Sequence, residues 1–344
     1  MNKPYVAATT PGSPSSPPHR ISVVVPVYQG ERTLKQLLAE LQRHTAPCLT
    51  PAGVPYVVEE ALLVFDHGPD GSANIVRELA EALPWVRPVW LSRNFGQHAA
   101  TLAGMSSSGG EWIVTMDEDG QHDPADIPRF LDVALSNQVS LVYAQPTNAP
   151  PHGALRNTSS RLTKWLFAKG LGRGSGTETF QSFRLVLGEI GRSVAAYAGA
   201  GVFLDVALGW VNPSTALCPV TLRTEGGRAS GYTGRRLLSH FWRLVLTSGT
   251  RGLRLVSVLG ALFAVFGALL AALLVVLHFV DPQPVQGWTS VMVVLLLATG
   301  AILFSLGLLA EYVGVAVAMA MGKPLYLIVT DPDSGAMGRA KPPR

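Results

Sequence analysis

The sequence predicts an α/β domain on a mostly parallel sheet, continued at its C-terminal end by interfacial helices and a membrane hairpin. Three observations carry this expectation. Short β-branched runs alternate with helical stretches from Ile21 to Ala144. One of those runs, Trp112 to Met116, empties into the acidic turn Asp117-Glu118-Asp119. Long uncharged stretches fill the last third of a 344-residue chain that is 48% hydrophobic and only 15% charged.

Residues 1–20 contain Pro11, Pro14, Pro17, Pro18 and several serines, with no apolar core of signal-peptide length. They read as a disordered tail, which leaves the start of the folded part on the cytosolic side. Ile21 to Val27 is a buried strand and Glu31 to Arg43 an amphipathic helix. Val57 to Phe65 is a second strand, followed by the turn Asp66 to Gly71 and a helix capped by Ser72 that runs to Leu83. Val86 to Leu91, Trp112 to Met116 and Val139 to Ala144 are further strands. Between them lie helices at Gln97 to Ser107 and Asp126 to Asn137. Strands separated by helices of this length imply parallel pairing with right-handed crossovers. Ligands in such sheets bind beyond the strands' C-terminal ends. The loops at Tyr28-Gln29-Gly30, Asp66-His67-Gly68 and Asp117-Glu118-Asp119 all lie at that edge.

The acidic turn carries the chemistry. Side chains alternate along an extended backbone, so Asp117 and Asp119 project to one side. Two adjacent carboxylates repel unless a cation sits between them, and Mg²⁺ takes one or two carboxylates while keeping positions for phosphate oxygens. An acidic surface turn is the plain alternative. A nicotinamide-binding domain shares the topology, but no Gly-x-Gly-x-x-Gly follows any strand. The net charge of +4 is modest, and arginines cluster just before the apolar region, which points to a membrane surface and not to nucleic acid. Cys48 and Cys218 are the only cysteines and have no partners at metal-ligand spacing, as expected of structural thiols in a reducing compartment.

Four motifs occur in register: Ile21 to Tyr28, Asp66 with Asp70-Gly71-Ser72, Leu91-Ser92-Arg93-Asn94-Phe95-Gly96, and Met116 to Pro124. Together they resemble the family 2 glycosyltransferases of the GT-A (Rossmann-like) type. Within these, the chain looks like the polyprenyl-phosphate glycosyltransferases, which include the dolichol-phosphate mannosyltransferase relatives and bacterial members with two spanning helices. The resemblance covers residues 21 to 255 and implies a GT-A domain over 21–234. It also implies roles for matching residues. Pro26, Tyr28 and Asp66 would hold the base and ribose of a UDP- or GDP-sugar, and Arg93 and Asn94 would line the donor pocket. Asp117 and Asp119 would bind Mg²⁺ or Mn²⁺ bridging the diphosphate, with Gln121 close to the sugar. A strand-to-helix turn with Phe95 in the core is the structural alternative for the Arg93 to Gly96 motif.

The departures fall in definite places. The family usually has Asn-Glu after the tyrosine, whereas this chain has Gln29-Gly30-Glu31, and it usually has paired aspartates where Phe65-Asp66 stands. Both bear on the nucleotide's identity. Phe180-Gln181-Ser182-Phe183-Arg184 resembles the family's Asp-Phe-Arg segment, with Ser182 where many members carry an aspartate proposed as base. A phosphate monoester nucleophile has a second pKa of about 6 and is largely anionic at neutral pH. It needs orientation and charge screening, which Arg184 can supply, and Glu178 is a reserve base. Arg223, Ser230 and Tyr232 resemble a loop near the diphosphate in which Gly231 replaces the usual lysine. Arg228 or Arg235 would supply the missing charge. A basic helix over Arg156 to Lys169 and a Gly-rich run, Gly170 to Gly176, read as a second half of the site with a mobile lid.

Residues 235–254 form a basic amphipathic stretch, with Arg236, His240 and Arg243 opposite Leu237, Phe241 and Leu244, as expected of a helix in the headgroup layer. An ordinary helix packed on the sheet is the alternative. Leu255 to Leu277 is uncharged over ~23 residues, roughly 35 Å of helix, which is enough to span. Val291 to Ala310 is a second such stretch, so 255–320 reads as a two-helix hairpin and 321–344 as a cytoplasmic tail. The linker Asp281 to Gly287 has no Lys or Arg, while Arg251 and Arg254 precede the first span and Lys323, Arg339 and Lys341 follow the second. The positive-inside rule then places both termini in the cytoplasm of a multi-pass inner-membrane protein. The resemblance implies transfer of a sugar, with inversion, from a nucleotide-sugar to polyprenyl phosphate, and a homo-oligomer, a tetramer by analogy. A catalytically degenerate GT-A-like scaffold is the alternative. A processive synthase is disfavoured by the absence of a Gln-x-x-Arg-Trp segment.

Overall fold

The computed structural model describes residues 17–148, 181–199, 202–212, 214–223, 287–322 and 324–335, with scattered positions from Gly260 to Val276. In chain order the elements are β1 (His19–Val27), α1 (Leu34–Leu41), β2 (Cys48–Leu49), β3 (Pro55–Phe65), α2 (Ser72–Ala82) and β4 (Val86–Leu91). These are followed by α3 (Gln97–Ser107), β5 (Trp112–Thr115), α4 (Ile127–Asn137), β6 (Leu141–Pro146), β7 (Arg184–Leu187) and α5 (Gly188–Tyr197). The last are α6 (Leu204–Val211), β8 (Ala216–Val220), α7 (Trp288–Ala320) and β9 (Ile328–Val329). Among the described residues the strands form one mixed sheet in the order β8-β6-β7-β5-β1-β3-β4-β9, with β2 beside β3.

The central strand β1 pairs in parallel with β3 and β5, and Ile21, Val23, Val24, Val25 and Val27 have no exposed surface. Burial on both faces is the reason it reads as a continuous apolar run without alternation. Helix α3 lies on β1 and β3 with Ala99 to Met105 buried. Its small residues permit the close approach: a Cβ on Gly104 would lie 2.3 Å from Val24 Cγ1 and 2.9 Å from Val64 Cγ2.

Three expectations change at this level. The run Val139 to Ala144 keeps the expected direction of the parallel set but does not pair with it directly, because β7 lies between β5 and β6 and is antiparallel to both. Helix α1 starts at Leu34 and not at Glu31, because Glu31 is drawn into the neighbouring loop, where its carboxylate accepts the Gly71 N–H at 3.0 Å. Ser72 is the first residue of α2 and not its cap. Its hydroxyl donates to Asp70 at 2.6 Å and accepts the Gly30 N–H at 2.8 Å.

The described residues fall into two compact units. The first holds the whole sheet, including the residues from Leu325 onward; the second holds α7. Within α7, Leu297–Gly314 has mean hydropathy 1.6 and is long and apolar enough to cross a membrane. At 33 residues the helix is roughly 50 Å long. Of the expected first span, the described positions between Gly260 and Val276 are helical and exposed, and the rest lie outside the described residues. The basic stretches 156–169 and 235–254 and the Gly170 to Gly176 run also lie outside them. The expected tail differs in one respect: Ile328 and Val329 pair with β4 as the outermost strand.

Candidate active site

The strand order reverses at β1. Strands β3 and β4 lie on one side of it and β5 on the other, all parallel to it. A crevice beyond the C-terminal ends of the strands at such a switch point is where open α/β sheets bind ligands. Glu118 bridges the two loops that border it, accepting the Tyr28 N–H at 2.9 Å and the Gln29 N–H at 2.8 Å. Gly30 is required by this bridge, since a Cβ there would sit 2.7 Å from Glu118 Oε2 and 2.8 Å from Leu34 Cγ. The departure from the usual loop sequence therefore has a packing reason.

Asp117 is held at both carboxylate oxygens and at its N–H. Gln97 Nε2 donates to Oδ1 at 2.5 Å, and Ser182 Oγ donates to Oδ2 at 2.6 Å. The Asp117 N–H donates to His122 Nδ1 at 3.0 Å, which places the neutral ring's proton on Nε2. His122 is buried and stacks on Phe183 with ring centroids 4.8 Å apart. Asp119 Oδ1 accepts the Gln121 N–H at 3.0 Å, and Gly120 turns the loop at φ +78°, where glycine alone is unstrained. Asp117 and Asp119 are half-buried and supply hard oxygen donors, the type a divalent cation takes. Among the described residues no three His, Cys, Asp or Glu side chains converge as a closed metal cage. The pair suits a cation that completes its shell with ligand oxygens.

On the other side of β1, Asp66 is buried and accepts the Phe95 N–H at 2.7 Å and the Gly96 N–H at 2.8 Å. Burial pushes its carboxyl above the ordinary value despite those two amides. Asp66 thus fixes the turn into α3, from which Gln97 reaches Asp117. The rim is open: Tyr28 is 43% exposed, Arg93 and Asn94 are exposed, and the Arg93 guanidinium lies 4.3 Å from the Phe95 ring centroid. Pro26 is half-buried at the end of β1.

Two arginines have surroundings the sequence did not reveal. Arg223 is clamped between Glu40 and Asp123, each at 2.7 Å, and its N–H donates to the Gln121 carbonyl at 2.9 Å. Its charge is compensated by two carboxylates, and its contacts position the acidic turn. Arg184 is 3% exposed, with its guanidinium 5.7 Å from the Tyr143 ring centroid. Ser230, Tyr232, Arg228, Arg235 and Glu178 lie outside the described residues. Sequence reasoning missed Glu118, Gln97 and His122. The alternation that paired Asp117 with Asp119 also sends Glu118 the opposite way, toward the β1 loop, so that signal was present. Nothing in sequence marked His122 or Gln97 as contacts of Asp117.

Comparison with known proteins gives the family. Residues 22–190 match the model of the family described as Glycosyl transferase family 2. An undecaprenyl-phosphate 4-deoxy-4-formamido-L-arabinose transferase from Klebsiella pneumoniae is 32% identical over 329 residues, covering 91% of this chain and 93% of its own. The enzyme of the same name from an Enterobacter strain is 31% identical, over 94% and 97% of the two chains. Among solved structures, mannosyl-3-phosphoglycerate synthase from Rubrobacter xylanophilus matches 69% of this chain and 74% of its own, at 13% identity and a TM-score of 0.48. With a relative above 30% identity along nearly its whole length and a family match over the sheet that builds the crevice, the chain belongs to the family 2 glycosyltransferases, on the polyprenyl-phosphate branch.

Proposed function

We propose that this glycosyltransferase moves a sugar from a nucleoside-diphosphate donor to polyprenyl phosphate at the cytoplasmic membrane face, with inversion. The observation that carries the reading is the Asp117 carboxylate, oriented at the switch-point crevice by Gln97 and Ser182. The relatives' names, which specify undecaprenyl phosphate, support the acceptor class. In this reading Tyr28 and Pro26 receive the base, Arg93 and Asn94 border the donor, and Asp66 shapes the pocket through the Phe95 and Gly96 amides. Asp117 and Asp119 would hold Mg²⁺ or Mn²⁺, which when bound offsets charge developing on the departing diphosphate. The acceptor phosphate is already anionic, so the protein orients it and needs no strong base. Ser182 serves that end indirectly by fixing Asp117. Arg184 contributes a buried positive charge, while Gln121 faces the sugar and Ser230, Tyr232 and Arg235 meet the acceptor phosphate.

Connectivity supports the membrane placement. Residues on both sides of the apolar segment belong to the one sheet-bearing unit, because β9 pairs with β4. If α7 spans the bilayer, a chain that leaves and re-enters the same folded unit must cross a second time. That supports the hairpin, and the flanking Arg251, Arg254 and Lys323 favour a cytoplasmic catalytic unit.

The test is direct. Detergent-purified protein is incubated with Mn²⁺, a panel of nucleotide-sugars and undecaprenyl phosphate, and the lipid is weighed by mass spectrometry. A hexose- or pentose-sized mass increment on the lipid phosphate is expected. Nucleotide-sugar turnover with no lipid-linked product under any donor would overturn the acceptor assignment.

A further inference from the structure

We propose that the segment following the membrane helix, Leu325–Gly335, is a strap that positions the donor loop Ser92–Gly96, with Arg77 as its latch. The proposal rests on the donor site described above and adds a residue and a segment to it.

The strap meets β4 at its C-terminal end. Val329 pairs with Trp90 and Ile328 with Leu91, and the Ser92 N–H then donates to the Leu327 carbonyl at 2.9 Å. Two residues of strand hold little by themselves. The fastening is Arg77 on α2, whose Nε and Nη2 each lie 2.7 Å from an oxygen of Asp331 in a bidentate pair. Its Nη1 reaches Asp333 at 2.9 Å, and its guanidinium lies 4.9 Å from the Trp90 ring centroid. Asp331 also shapes the strap itself, since Oδ1 accepts the Asp333 N–H and its carbonyl accepts the Gly335 N–H. Both partners are sheltered, at 23% and 18% side-chain exposure. A planar fork on a carboxylate fixes orientation as well as distance.

The consequence lies downstream. The loop whose first amide the strap holds has its last amides on Asp66, and the next residue, Gln97, holds Asp117. Releasing the strap frees one end of a loop that borders the donor and orients the acidic turn. Arg77 touches no reacting atom, so it is a positioning residue.

The test compares Arg77→Asp, Asp331→Arg, their double swap, and the shape-conserving Asp331→Asn in full-length protein. Each single change is expected to speed amide hydrogen exchange across 92–96 and raise donor KM, both by about tenfold, with kcat within about twofold, as fits loss of charge-assisted hydrogen bonds. The double swap is expected to recover most of both. Single variants that keep wild-type exchange and KM, or that lose thermal stability with no change in KM, would overturn the proposal. Exchange is read without donor, so a chain that transferred no sugar would sink the functional reading and leave the strap decided by exchange.

Discussion

The hydroxyl of Ser182 donates to Asp117 Oδ2 at 2.6 Å. The position that many family members give to an aspartate is here a donor to the acidic turn, and a second carboxylate in that place would face Asp117 as a like charge. Ser182→Ala is expected to lower kcat/KM on the order of tenfold, as fits one lost hydrogen bond to a charged group. Ser182→Asp is expected to lower it further. Transfer assays on variants with unchanged circular dichroism check both, and a Ser182→Asp enzyme at or above wild-type rate would show that this residue stands in for a base.

Glu118 accepts two backbone amides across the crevice. Glutamine offers one acceptor oxygen in place of two, so Glu118→Gln leaves one amide unpaired at a cost of about 1–3 kcal/mol. Donor KM is expected to rise, because the Tyr28 loop loses its anchor, while the core stays folded. Gly30→Ala reaches the same loop sterically and should also shift the melting temperature downward. Calorimetric titration with nucleotide diphosphate separates the two effects.

Asp117→Asn and Asp119→Asn are each expected to reduce turnover by about 100-fold or more, the scale of several kcal/mol of lost charge stabilisation. Their Mn²⁺-dependent nucleotide binding should fall in parallel. Normal turnover in Asp117→Asn would discard its assignment to the cation.

These residues also mark how far the sequence could be read. The parallel core was legible because β1, β3 and β5 are buried on both faces and bounded by turn residues. The place of the acidic turn beyond β5 was legible because a short apolar run that ends in turn residues is a local signal. Strand β7 was not, since antiparallel insertion between β5 and β6 depends on pairings distant in sequence, such as Arg184 with Thr115 and with Tyr143. The ion pairs of Arg223 were not legible for the same reason: its partners Glu40 and Asp123 are distant in sequence. The strap looked like a tail because Ile328-Val329 is too short to register as a strand.

A hairpin crossing predicts that a cysteine at Gln283, in a background lacking Cys48 and Cys218, is labelled by a membrane-impermeant maleimide from outside spheroplasts. One placed at Lys341 should require permeabilisation. Labelling of both from the same side without permeabilisation would contradict an even number of crossings with a cytoplasmic catalytic unit.

The far end of the sheet supplies a pH prediction. Glu60 is 6% exposed and accepts the Ser22 hydroxyl at 2.7 Å, the Gly109 N–H at 2.6 Å and the Arg87 guanidinium. Burial alone would raise its carboxyl, but the hydrogen bonds from Ser22, Gly109 and Arg87 outweigh it and hold the group below its ordinary value of 4.5. A depressed folded value means the carboxylate stabilises the fold fully above the unfolded value and loses that contribution as pH falls through the folded one. Glu60→Gln removes the titration and turns an amide N–H₂ toward Arg87, at a cost of about 2 kcal/mol near neutrality, or roughly 4–8 °C in melting temperature for a domain of this size. The gap between wild type and variant should therefore be widest above pH 4.5 and should narrow as pH falls below it. A gap that stayed constant from pH 7 to pH 3, followed by circular dichroism melts, would show that Glu60 acts by packing and not by charge.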